Sequence, residues 1–225
     1  MLNWAARYFP ILRTLKQHDL LKSGTILEIG SGPFGIGTFR EVPFTGCDLA
    51  FSSKPNWPMT QLVASAADLP LADKSFDVVL ASDVLEHIPP ELREAVIREA
   101  LRVARRLVIF GFPCGAIAQD ADKALKQFYL TNQIEVPVWL EEHMEADFPE
   151  PSLFRDLPGW KVVQFGNESI RFHTWMMQRE THRLFAKITG KLVRTTPSLL
   201  EPFLRMGDGA PYYRQIFVLS PADAR

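Results

Sequence analysis

The feature that most limits what this chain can fold into is TILEIGSGPFGIG, residues 25–37, a short apolar run that ends in glycines. A β-branched stretch of this kind suggests a buried strand of a parallel sheet. Glycine is needed beyond it because the backbone must turn sharply and admit close approach by a ligand. The same format recurs in TGCDLA (45–50), QLVASAAD (61–68), SFDVVLASD (75–83) and RRLVIFGF (105–112), with helical or irregular segments between. Strands alternating with such segments form βαβ units, so an α/β fold with a largely parallel sheet is expected.

Apolar residues at helical spacing, Leu92, Val96, Ala100 and Val103, predict a helix from Pro89 to Arg105. Pro and Glu91 open it and arginines close it, as the helix dipole favours. A second helix is predicted over Asp120–Leu130, at the sheet's C-terminal edge, and one helical stretch over Trp175–Val193. Late strands are expected at WKVVQFG (160–166) and YYRQIFVLS (212–220). The N-terminal segment reads as an amphipathic helix and not as a signal peptide, since Arg7, Pro10, Arg13 and Lys16 interrupt it.

At 225 residues with no long linker, one domain is expected over 1–225. It divides into an N-terminal helix (1–23), a cofactor-binding half (24–113) and an acceptor-side half with helical insertions (114–225). Lys plus Arg number 25 against 26 Asp plus Glu, so no general positive field marks nucleic acid as an obligatory partner. Two cysteines, Cys47 and Cys114, make neither a disulfide framework nor a cysteine metal site, which fits a reducing cytoplasm. No window reaches the ~18 apolar residues of a membrane span.

Asp48 ends the second apolar run 20 positions after Glu28, where an acid meets ribose hydroxyls in sheets of this kind. Gly30, Gly32 and Asp48 together indicate an adenosine-containing cofactor. Three features favour S-adenosylmethionine over a nicotinamide dinucleotide. Glu28, two residues before the first glycine, can hold an ammonium group directly or through water. Asp68 in ASAADLP can accept from the adenine amine, with Ala67, Leu69 and neighbouring apolar groups against the ring. Asp83, Glu86 and His87 stand just beyond the fourth strand, at the carboxyl edge where open α/β sheets bind ligands.

By LEIGSGPFG, CDLA and AADLPLADKSFDVVLASDVLEHI, in that order, the chain resembles the class I S-adenosylmethionine-dependent methyltransferases, of the type 11 kind, over roughly Thr25–Pro113. The resemblance implies a Rossmann-like sheet of seven strands, mostly parallel with an antiparallel last strand, and helices on both faces. It also implies a cofactor site at Glu28, Gly30, Gly32, Asp48 and Asp68, beside which Ser31, Leu49, Ala67, Leu69 and Asp83 are further expected cofactor-binding residues. Two departures stand out: Phe34 precedes Gly35 where many members have a glycine, and Val103-Ala104-Arg105-Arg106 replaces a Pro-Gly-Gly turn before strand five.

Methyl transfer from a sulfonium mainly requires that the acceptor be positioned, with a general base where the acceptor must lose a proton. His87 is the leading candidate base, and Glu142 and His143 in WLEEHMEADFP form a second cluster. No catalytic metal is expected. Residues 171–194 carry Arg171, Arg179, Arg183, Lys187, Lys191 and Arg194 against Glu180 alone, a basic amphipathic segment that reads first as the outer face of a core-packed helix and otherwise as a lid contacting an anionic acceptor or a peripheral membrane surface. The expected acceptor is a small molecule, saccharide-like or lipid-linked. A catalytically silent scaffold is the rival; it would be favoured by loss of the glycines or Asp48, and neither is lost. A nicotinamide oxidoreductase would need a second ring-binding half.

Overall fold

The computed structural model describes residues 2–39, 43–55 and 58–223. Met1, 224 and 225, at the ends of the expected domain, lie outside the described residues. The helices are α1 (Leu2–Gln17), α2 (Pro90–Val103), α3 (Gly115–Thr131), α4 (Val138–Glu142), α5 (Ile170–Glu180), α6 (Arg183–Thr195) and α7 (Pro197–Met206). The strands are β1 (Ile26–Ile29), β2 (Phe44–Asp48), β3 (Met59–Val63), β4 (Phe76–Ser82), β5 (Ala104–Pro113), β6 (Trp160–Ser169) and β7 (Tyr212–Pro221).

The seven strands form one sheet in the order β3-β2-β1-β4-β5-β7-β6. Pairings from β3 through β5 are parallel, while β7 runs antiparallel to both β5 and β6. Six strands therefore share a direction and the last opposes them, as the resemblance implied. Neighbouring residues of one strand feed opposite cores. Leu27, Val79, Val108, Phe110 and Phe217 face one side with α2. Ile26, Val78, Leu80, Leu107, Ile109 and Ile216 face the other with Tyr8, Ile11 and Leu15 of α1. Two buried faces explain why the central strands are continuously apolar.

Several expected bounds shift. The helix expected to reach Arg105 ends at Val103, and the chain passes straight into β5, with Ala104 already extended. The missing Pro-Gly-Gly turn is thus matched by having no turn at all. The helix expected over Asp120–Leu130 begins earlier, at Gly115, and packs Leu125 and Tyr129 against α1 and the late helices. Only the first part of QLVASAAD is strand; Ser65 and Asp68 close a turn beyond it. The single stretch expected over Trp175–Val193 is two helices, α5 and α6, and α7 follows. Ser169 Oγ accepts the Phe172 N–H at 3.3 Å, a cap that starts α5 before Trp175.

Candidate active site

Strand order reverses between β1 and β4, and the carboxyl ends of these strands open a cleft, the usual ligand crevice of open α/β sheets. Its volume is about 560 Å³. The walls are Gly30 after β1, Cys47, Asp48 and Leu49 at the end of β2, Ala64 to Ala67 after β3, Asp83, Val84 and His87 after β4, and Leu92 and Val96 of α2. Leu49 is 74% exposed at the rim, an apolar surface that a bound ring system would cover.

The glycine loop is held from behind. Glu28 is wholly buried, accepts the Tyr8 hydroxyl at 2.5 Å and the Ile36 N–H at 2.6 Å, and is absent from the cleft lining. In this geometry both its oxygens are engaged, one by α1 and one by the loop. Burial, only partly opposed by its two hydrogen bonds and Arg7, raises its pKa from 4.5 to about 7. A carboxyl raised on folding contributes stability that is full below its unfolded value and is lost as pH rises through the folded one. Urea unfolding should therefore show stability falling between about pH 5 and pH 8. Glu28→Gln, which mimics the protonated acid, should flatten that slope; equal slopes would show that Glu28 does not titrate there.

Gly30 lies at φ +66°, and its N–H donates to the Cys47 carbonyl at 2.8 Å. A Cβ there would stand 2.3 Å from Val84 Cγ2, so the loop packs directly on the turn that carries His87. Asp48 accepts the Gly32 N–H at 3.0 Å and the Leu49 N–H at 2.8 Å, tying the tips of β1 and β2 together at the cleft wall. Each oxygen keeps a further lone pair for a hydroxyl.

Other expected residues fall differently. Ser31 Oγ donates to its neighbour's carbonyl at Gly32 and lies against Met59, away from the cleft. Leu69 is in the core beneath the loop and Asp68 is exposed, neither lining the cleft, so Ala64 to Ala67 form the wall expected to face adenine.

Asp83 does line the cleft, and it is also one end of a buried charge network. Arg214 of β7 donates Nε and Nη2 to its two oxygens, each at 2.7 Å, and Nη1 to Glu168 at 2.8 Å. Arg7 of α1 adds an ion pair at 3.4 Å. Burial opposes charge on Asp83, but Arg214 and then Arg7 outweigh it and hold the carboxyl at about 2. Asp83 and Glu168 both sit at positive φ, at +51° and +66°, so the pairing holds strained backbone in place. Nothing in the spacing of Arg7, Glu168 and Arg214 announced this network.

The two catalytic candidates expected separately form one cluster. His87 Nδ1 stands 3.0 Å from Glu142 Oε2, and the His87 and His143 ring centroids are 4.8 Å apart. His143 Nδ1 pairs with buried Asp122 at 2.6 Å, and Tyr213 Oη donates to the same carboxylate at 2.9 Å. Burial and then the neighbouring His143 lower the His87 pKa, against the pull of Glu142. Asp122 and Tyr213 were missed because their role appears only once α3 and β7 are side by side.

Residues 171–194 make no lid over this cleft, since none of them is among its lining residues. Instead, α5 and α6 pack Met176, Met177 and Val193 against α1 and α3, leaving Leu184, Ile188, Leu192 and the lysines between them exposed. No helix among the described residues is long and apolar enough to cross a membrane.

Comparison with known proteins agrees with this architecture. The methyltransferase domain family matches residues 41–110. A search of curated proteins finds no match. Among solved structures, the chain is similar to a protein from Galdieria sulphuraria provisionally assigned as a sarcosine dimethylglycine methyltransferase, with TM-score 0.58 and 15% identity, covering 100% of this chain and 85% of that one. It is also similar to magnesium protoporphyrin IX methyltransferase from Synechocystis with bound S-adenosylhomocysteine, with TM-score 0.54 and 13% identity, covering 95% and 81%. At such identities the likeness speaks for the fold alone. Through the segment matched by the family, which spans about a third of the chain, and the seven-stranded sheet that contains it, the chain is similar to the class I S-adenosylmethionine-dependent methyltransferases.

Proposed function

We propose that this enzyme methylates a small molecule, saccharide-like or lipid-linked in character, whose nucleophilic atom sits beside His87, Glu142 and His143. The observation that carries this reading is the convergence of that cluster on the mouth of the cleft, where His87 is both a wall residue and the partner of Glu142. The cleft suits the cofactor: its volume lies in the range of small-molecule sites, its walls are mostly apolar, and one carboxylate, Asp48, stands at a strand tip. When bound, S-adenosylmethionine supplies the activated methyl group and the sulfide leaving group.

The chain's own residues do the rest. Asp48 receives the ribose hydroxyls, Gly30 and Gly32 let the ligand approach the backbone, and Ala64 to Ala67 with Leu49 cover the ring. The cluster orients the acceptor and handles its proton; orientation is worth the most, on the order of 7–11 kcal/mol in favourable cases. The neighbour that carries a name for a porphyrin substrate acts on a small molecule, which supports the acceptor class.

Calorimetry with S-adenosylhomocysteine and NAD on the full chain tests the cofactor half of this proposal. Binding of the first and not the second is expected. Asp48→Ala should weaken S-adenosylhomocysteine roughly ten- to hundredfold, the loss of a charge-assisted hydrogen bond. Unchanged affinity would remove Asp48 from the site. Cofactor binding without turnover on any acceptor panel would favour the scaffold.

A further inference from the structure

We infer that Glu86, His87 and His143 hold a divalent first-row transition metal ion at the acceptor end of the cleft. In its use this inference rests on the methyl-transfer reading; in its existence it does not. One ligand atom from each of the three side chains lies within 4.8 Å of the others. Donors around a tetrahedral ion with ~2.1 Å bonds stand roughly 3.4 Å apart. The three groups therefore need only small side-chain rotations to close on an ion.

Three further observations point to a ligand there. Glu86 is 3% exposed, yet neither carboxylate oxygen has a hydrogen-bond partner among the described residues. A buried carboxylate without partners is costly, and a cation among the imidazoles would supply the missing one. Arg93, the nearby cation, spends Nε on the Ile88 carbonyl and forms no ion pair with Glu86 among the described residues.

Next, each imidazole has a carboxylate at Nδ1, Glu142 for His87 and Asp122 for His143, which leaves Nε2 as the free nitrogen of both rings. A carboxylate behind a histidine is how proteins fix the tautomer and orientation of a metal-binding ring. Tyr213 in turn holds Asp122, so that second layer is itself anchored. Finally, the three side chains offer two nitrogens and one oxygen-bearing group. That donor set suits zinc, manganese or iron(II) and not magnesium or calcium, which prefer oxygen alone.

Three protein ligands leave positions open, and His87 lines the cleft, so the open side faces the place where a methyl acceptor would sit. The ligand that completes the site is then an acceptor with a hydroxyl, thiol or ring nitrogen. A metal-bound hydroxyl loses its proton far more readily than a free one, as metal-bound water does, and that proton passes to water at the open mouth. The expectation of no metal arose because 56 positions separate His87 from His143, a spacing no local motif covers.

The experiment is titration calorimetry of the full chain, stripped with chelator and dialysed, against Zn²⁺ and Mn²⁺, with Mg²⁺ for contrast. One equivalent of Zn²⁺ or Mn²⁺ should bind, and Mg²⁺ should not. Glu86→Gln, which keeps shape, and His87→Ala, at an exposed side chain, should each weaken binding about 100-fold or more, while circular dichroism confirms that both variants fold. No binding to the wild-type chain, or binding unchanged in both variants, as adventitious capture by His18 or His182 would give, overturns the proposal. S-adenosylhomocysteine titrated into the stripped protein separates the two inferences: binding there, with no metal site found, leaves the cofactor reading standing and removes only the ion.

Discussion

Replacing Arg214 by methionine should destabilise the protein by about 3–5 kcal/mol, because it leaves two buried carboxylates with only their longer contacts, Arg7 for Asp83 and His173 for Glu168, each at 3.4 Å. Arg214 is itself wholly buried, and its guanidinium serves Asp83 through two bonds and Glu168 through a third. For a chain of this size the expected fall in Tm is roughly 6–20 °C. Differential scanning calorimetry reads it, and an unchanged Tm would mean the carboxylates find other partners. Arg214→Lys should rescue little, since an ammonium cannot donate in parallel to both oxygens of Asp83 while reaching Glu168. The pH dependence has a definite sign. Asp83 has a depressed pKa, so the stability that its pairing contributes is full above the ordinary carboxylate value of 3.8 and is lost only as pH falls through about 2. Functional damage should accompany the instability, because Asp83 forms part of the cleft wall.

Gly30→Ala is the second large effect. The methyl group would overlap Val84 Cγ2 and would also have to adopt φ +66°. Left-handed backbone costs a non-glycine residue about 1–2 kcal/mol, and overpacking typically adds about 1–3 kcal/mol. Relief requires the glycine loop and the turn bearing His87 to separate, which would widen the cleft at its acceptor end. A loss of about 2–5 kcal/mol in stability and at least tenfold weaker S-adenosylhomocysteine binding are expected. Gly32→Ala is the informative control. Its added Cβ meets nothing within 4 Å, so only the backbone cost of φ +53° remains. Equal damage from the two substitutions would show that backbone strain, and not the contact with Val84, sets the effect.

Much of the frame was legible in the chain. The apolar runs that became β1, β4 and β5 and the helical spacing of Leu92, Val96, Ala100 and Val103 are local patterns, and local backbone preference with burial reads them out. Helix ends were harder. Arg105 continues the charge pattern of a helix terminus, yet pairing of β4 with β5 captures Ala104 opposite Phe76 and ends the helix at Val103. The split of α5 from α6 likewise follows from packing against α1 and α3, which no periodicity within 171–194 states.

The sequence by itself determined the glycine turn after β1, the acid at the end of β2 and the order of strands and helices along the chain. Each depends on residues close together in the chain, and their φ/ψ preferences and apolar spacing act at short range. Tertiary structure alone decided that Glu28 turns back to Tyr8, that Arg214 joins Asp83 to Glu168, and that His87 meets Glu142 and His143. Those partners come from strands and helices whose adjacency is set by sheet order and core packing. A buried charge takes whichever opposite charge that packing brings within reach, because the low-dielectric interior penalises leaving it alone.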